Sequence, residues 1–166
     1  GTRLVIGIDG GRLRTRINRK GAPRANGRRG FDAPWREPKV FVVYAIDKQG
    51  RKVRGSALRY DATLEDADRI FRILAAVLIS IGAADASELI VVGDGAEWIW
   101  DRVPGLIEKV GFDAKRVTEV LDFYHACEHL HEIATHVRGW TEGQKKAWFH
   151  RMRHLMRHDK VDKVLD

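Results

Sequence analysis

The sequence predicts an α/β fold: a mixed five-stranded sheet with flanking helices. Three observations carry that expectation. Two apolar runs, Val5-Ile6-Gly7-Ile8 and Leu89-Ile90-Val91-Val92, read as buried strands. The first ends in Asp9-Gly10-Gly11 and the second in Gly93-Asp94-Gly95, so each delivers an acid to a point where the backbone must turn or admit a ligand closely. Between them, the apolar residues from Leu64 to Ile81 recur at helical spacing. The 166 residues suffice for one domain with a real core.

Taken in order, Arg3 to Asp9 is the first strand. Past the glycines, Leu13, Thr15 and Ile17 alternate with Arg12, Arg14 and Arg16, so the strand continues with one apolar and one basic face, and the glycines mark a bulge or turn. Residues 18–38 read as a loop rich in glycine, proline and arginine. Val40 to Asp47 and Lys52 to Tyr60 form a hairpin around Lys48-Gln49-Gly50-Arg51. Thr63 caps a helix, with Asp66 completing an approximate capping box, and Gly82 ends it. Glu88 to Asp94 is the fourth strand. Ala96 to Val110 is helical, bent or split by Pro104. Arg116 to Leu121 alternates as the fifth strand. Phe123 to Val137 is a helix closed by Gly139, and Thr141 caps another. A meander of three strands followed by two right-handed crossovers gives the strand order 3-2-1-4-5, with the first strand central and beside the fourth. The expected organisation is a core over residues 1–139 with a basic loop at 18–38, and a helical extension over 140–166.

The formal charge of +7 points to a polyanionic partner. The phosphate-contacting candidates are Arg12, Arg14, Arg16, Arg19, Lys20, Arg24, Arg28, Arg29 and Arg36, with Phe31 and Trp35 available to stack or anchor the arm. The single cysteine, Cys127, excludes an internal disulfide and fits a reducing compartment. No apolar run is long enough for a membrane span, and no signal-peptide pattern opens the chain. A start at Gly1-Thr2 and a final segment resembling a helix cut short make an excised domain the expectation.

Two carboxylates brought together repel each other, and a divalent cation removes the repulsion. Oxygen-only ligands select Mg²⁺ or Mn²⁺. Two such ions, about 3.5–4 Å apart, suit phosphodiester chemistry. Asp9 and Asp94 are the candidate metal ligands and catalytic acids. A third acid is also called for, with Asp122, Glu128 and Glu132 the candidates. The seven histidines all fall in the last third: His125, His129 and His136 share one helical stripe, and His150, His154 and His158 another. Their spacing matches no standard closed zinc set, so a structural or solvated role is expected.

Gly7-Ile8-Asp9-Gly10-Gly11-Arg12, Trp35-Arg36-Glu37-Pro38-Lys39, Gly93-Asp94-Gly95-Ala96-Glu97-Trp98-Ile99-Trp100 and Leu121-Asp122-Phe123-Tyr124-His125-Ala126-Cys127-Glu128-His129-Leu130 together resemble bacterial insertion-sequence transposases of the DDE type, in particular the ISKra-like group. The resemblance implies an RNase H-like catalytic core and two Mg²⁺ or Mn²⁺ ions in the active complex, with Asp9 and Asp94 as the first two acids of the triad. It implies DNA partners, both element ends and target, a homo-oligomeric full-length protein, and a location in the bacterial cytoplasm at the nucleoid. Asp122 and His125 are similar to an Asp/Cys-x-x-His motif that shapes the site or contacts DNA near the cleavage point. In such enzymes the third acid sits on a late helix, so this stretch is expected to fold without cleaving DNA if that acid lies downstream of Asp166. Three other readings compete: one half of an actin-like or sugar-kinase-type ATPase, a non-catalytic DNA-binding module, and an RNase H-like junction nuclease.

Overall fold

The computed structural model describes residues 2–23 and 25–165. It divides into two compact units, one running to Val120 and the other from Leu121 onward.

The first unit is built on a five-stranded mixed sheet. Its long strands are β1 (Arg3–Gly10), β6 (Lys39–Ile46), β7 (Arg59–Thr63), β8 (Glu88–Gly93) and β9 (Val117–Leu121). Their order is β7-β6-β1-β8-β9. Counted over these strands alone, that is the third-second-first-fourth-fifth order expected; the numbering shifts because four two-residue strands intervene. β1 pairs antiparallel with β6 and parallel with β8. Leu4, Ile6 and Ile8 of β1, Phe41 and Val43 of β6, and Leu89 and Val91 of β8 turn one pleated face inward.

That face packs on α1 (Ala67–Ser80) and α3 (Val103–Val110). The buried side of α1 is Ala67, Ile70, Phe71, Leu74, Ala75 and Leu78, an i, i+3, i+4 stripe. Gly82, at φ 65°, supplies the left-handed residue just past its end. The N-cap is Asp66, whose carboxylate accepts from the Arg69 amide at 2.8 Å, and not Thr63. Thr63 is instead held in the sheet opposite Lys39, so strand pairing overrides its capping tendency. The helical stretch after β8 is split into α2 (Glu97–Trp100) and α3, one of the two outcomes expected; the break falls at Asp101 and Arg102, and Pro104 sits in the first turn of α3 where its missing N–H costs nothing.

Two strand boundaries differ from expectation. The turn at Asp47–Gly50 forms, with the Gly50 amide donating to the Asp47 carbonyl at 3.0 Å, but regular pairing resumes only at Arg59. A further turn through Gly55, at φ 79°, takes up the intervening residues. The larger difference is at residues 11–38. Beyond Gly10 the chain forms β2 (Leu13–Arg14) and β3 (Ile17–Asn18), which pair with β5 (Trp35–Arg36) and β4 (Phe31–Asp32). Residues 11–19 and 30–38, in part the expected loop, are thus an antiparallel ribbon continuing the β1–β6 register, with breaks where Pro38 and Pro34 stand on the second strand.

The second unit is an α-helical hairpin of α4 (Phe123–His136) and α5 (Glu142–Arg157), followed by α6 (Asp162–Leu165). Asp122 caps α4 and Thr141 caps α5 in a full capping box with Gln144. Cys127, Leu130 and Ala134 on α4 and Met152 on α5 are its buried side chains. The unit boundary precedes α4, and not Trp140 as the sequence pattern suggests, because α4 packs with α5. Among the described residues, no helix is long and apolar enough to cross a membrane.

Candidate functional site

The central pair of parallel strands ends at Ile8 opposite Gly93. One residue further on each strand stand Asp9 and Asp94. In β1 the residues Leu4, Ile6 and Ile8 face the helices, so the alternation turns Asp9 to the other side of the sheet, in line with Val5 and Gly7. Asp94 lies just past the end of β8, in the turn that leads to α2. Asp9 is exposed and Asp94 half-buried. Among the described residues, neither forms an ion pair.

The glycines beside these acids have a packing role. The helix side of the same sheet end is closed by α2. A Cβ on Gly93 would stand 3.2–3.3 Å from Ile99 and 3.3 Å from Trp100. One on Gly10 would stand 3.3 Å from the Trp98 ring. Neither glycine has a positive φ, so neither serves a left-handed turn. The expected bulge is absent as well. Gly10 pairs with Lys39, the Gly11 amide donates to the Pro38 carbonyl at 3.0 Å, and the same register continues to Leu13–Arg36 and on to Asn18–Phe31. The close approach there is made by the protein's own tryptophans.

The turn carrying Asp94 is anchored twice. The Asp94 carboxylate accepts from the Ala96 amide at 2.9 Å, and the Trp100 indole donates to the Asp94 carbonyl at 2.6 Å. One carboxylate oxygen is therefore engaged and the other is available. On the helix side, Trp98 meets Phe71 edge-on, and the Lys39 ammonium lies 5.5 Å from the Trp98 ring centre and 3.8 Å from Glu37. This cation is absent from the candidates that sequence pattern supplies. The available signal is Lys39 at the head of the apolar alternation Phe41, Val43.

The oxygen-only donors Asp9 and Asp94 suit Mg²⁺ or Mn²⁺ in kind. Among the described residues, no three His, Cys, Asp or Glu side chains gather closely enough to hold a metal ion. Asp122 lies in the second unit and acts there as a helix cap, accepting from the Tyr124 and His125 amides at 2.7 and 3.3 Å. Glu128 and Glu132 lie on α4, where they approach His125 at 3.8 Å and His129 at 3.9 Å. His125 and His129 themselves meet Nε2 to Nε2 at 3.1 Å. His136 bonds back to the Glu132 carbonyl, and His158 to the His154 carbonyl.

The basic candidates sort by position on the ribbon. Arg12, Arg14 and Arg16 share one face with Trp35 and Phe31, because directly opposed residues lie on the same side. The Arg12 and Arg14 guanidinium groups lie 5.4 and 5.3 Å from the Trp35 ring centre, and that of Arg16 lies 4.4 Å from Phe31. Arg19 is engaged by Asp32 at 2.6 Å. That hydrogen bond raises the Arg19 pKa and lowers that of Asp32. Arg36, opposite Leu13, shares the other face, and Lys20, Arg28 and Arg29 are exposed in the tip. Arg24 lies outside the described residues.

Comparison with models of known protein families gives no match, and comparison with curated protein sequences gives none either.

Proposed function

We propose that this chain is the catalytic core, or most of it, of a DDE-type DNA transposase on an RNase H-like sheet. Its reaction would be strand cleavage at element ends followed by transfer of the freed 3′-hydroxyl to target DNA. The observation that carries the reading is the placement of Asp9 and Asp94 at the same end of the two central strands, free of ion pairs among the described residues. The basic ribbon beside that end supports a nucleic-acid substrate.

In this reading Asp9 and the free oxygen of Asp94 would hold Mg²⁺ or Mn²⁺, which when bound lowers the pKa of a water or hydroxyl and stabilises a leaving oxygen. The chain's own contribution is rigidity. The Trp100 and Ala96 bonds hold the Asp94 turn, and α2 locks the strand ends from behind. A carboxylate held as Asp94 is accepts a cation with little reorganisation. The third acid would come from a helix that completes the site, in a homo-oligomeric protein acting at the bacterial nucleoid.

The test is paramagnetic broadening by Mn²⁺ in the amide NMR spectrum. Substoichiometric Mn²⁺ should first erase the signals of Ile8, Asp9, Gly93 and Asp94, and the Asp9→Asn, Asp94→Asn double variant should keep them. Broadening confined to the His125–His129 helix would overturn the reading. Thermal stabilisation by Mg·ATP in place of Mn²⁺ would favour the ATPase alternative.

A further inference from the structure

The ribbon offers more than a store of positive charge. From Gly10 to Asn18 its first strand advances eight residues beyond the sheet, about 26 Å at the usual rise. The paired segments share one register, interrupted where Pro38 and Pro34 stand on the second strand, so the ribbon extends the strand that carries Asp9 and its antiparallel neighbour β6. Arg12, Arg14 and Arg16 recur at every second residue, about 6.7 Å apart, on one face. Among the described residues, none of the three is paired with a carboxylate. Arg19, just past this stretch, is paired, and it shares the opposite face with its partner Asp32.

Trp35 and Phe31 are 57% and 50% exposed, which would suit stacking against bases. Their rings, however, already hold the three guanidinium groups. An arginine held over a ring keeps N–H groups available at the edge and gives up part of its rotamer freedom in advance; Arg16 also donates from Nε to the Asn18 side-chain oxygen at 3.2 Å. The aromatics therefore arrange the arginines and leave the bases alone. A two-stranded ribbon fits the major groove of B-form DNA, whereas the major groove of A-form RNA is too narrow and deep for it.

We propose that residues 11–38 form an arm that lies along the major groove of double-stranded DNA, with Arg12, Arg14 and Arg16 on successive backbone phosphates and Trp35 and Phe31 holding them in line. This rests on the reading of DNA as the substrate, and it names the form of DNA and the part of it that is read. Binding along such an arm is insensitive to sequence, because phosphates are what the arginines touch.

The experiment is fluorescence anisotropy in EDTA, across a range of NaCl, with a random-sequence DNA duplex, a single strand of equal length and an RNA duplex. The duplex DNA should bind most tightly. Replacing Arg12, Arg14 and Arg16 together with alanine should flatten the slope of log K against log salt by about 2.7, at about 0.9 for each phosphate no longer neutralised. Replacing the same three with lysine keeps the charge and the ribbon, so the slope should stay while affinity falls severalfold. Trp35→Ala should likewise weaken binding with little change in slope. An unchanged slope in the alanine variant overturns the proposal, as does tighter binding of the single strand, which would assign the rings to base stacking. Equal binding of the RNA duplex overturns it too. Because EDTA removes the metal, this readout is independent of Mn²⁺ broadening at Asp9 and Asp94. A chain that binds duplex but shows no such broadening keeps the arm and loses the transposase reading.

Discussion

Asp9 and Asp94 stand one residue past the opposed Ile8 and Gly93, at the same end of adjacent parallel strands. The proposed cation site would leave these two carboxylates repelling each other when no cation is bound. Removing one charge should relieve that. In metal-free, low-salt buffer, Asp9→Asn is expected to leave stability unchanged or raise it by up to about 1 kcal/mol, an effect that shrinks in about 0.5 M salt. Urea unfolding at the two salt concentrations measures it. Clear destabilisation by Asp9→Asn would mean that this side chain has a structural partner and that the two acids do not share a field.

Gly93 and Gly95 flank Asp94 but should respond differently to alanine. At Gly93 the new methyl would press on Ile99 and Trp100, which close the sheet end. A loss of about 1–3 kcal/mol is expected. At Gly95 nothing lies within 4 Å of the built position and φ is ordinary, so the change should be neutral or stabilise by up to about 1 kcal/mol. Equal effects in denaturant melts would contradict the packing account of Gly93.

Glu88 ties three strands together. Its carboxylate accepts from Arg3 of β1 and from Thr118 of β9. Those hydrogen bonds, Arg3 first, hold its pKa below the ordinary 4.5. A depressed carboxylate stabilises the fold above its unfolded-state pKa, and the contribution fades as pH falls through the lower folded value. Glu88→Gln should therefore lower the melting temperature at neutral pH and narrow its gap to the parent chain below pH 4.5. A gap independent of pH between about 2 and 7 would show that the charge of Glu88 is irrelevant.

The second unit depends on its caps. Asp122 satisfies two amides at the start of α4, and Thr141 shares a reciprocal pair of bonds with Gln144 at the start of α5. Asp122→Ala and Thr141→Ala should each cost about 1 kcal/mol, read from helical circular dichroism during thermal unfolding. If Asp122→Ala left helicity intact yet altered DNA binding, the motif role implied for Asp122 and His125 would outrank the cap.

Much of the architecture is legible in the order of residues. The apolar runs ending at Asp9 and Asp94, the helical stripe of α1 and the helix break just before Pro104 each follow from local pattern, since period and φ restriction act over a few neighbours. The strand order follows from connection lengths and handedness. Only the folded chain decided three other matters. Residues 11–38 became a ribbon because the β1–β6 hairpin lends its register to a segment whose own glycines and prolines signal a loop. Gly10 and Gly93 proved to be seats for α2, a requirement set for Gly93 by Ile99 and Trp100 and for Gly10 by Trp98, far along the chain, and visible only once the helix lies over the strand ends. The arginines acquired a direction from Trp35 and Phe31 on the opposite strand. Pattern along a chain specifies which elements form, but interactions across strands exist only after pairing has chosen the partners.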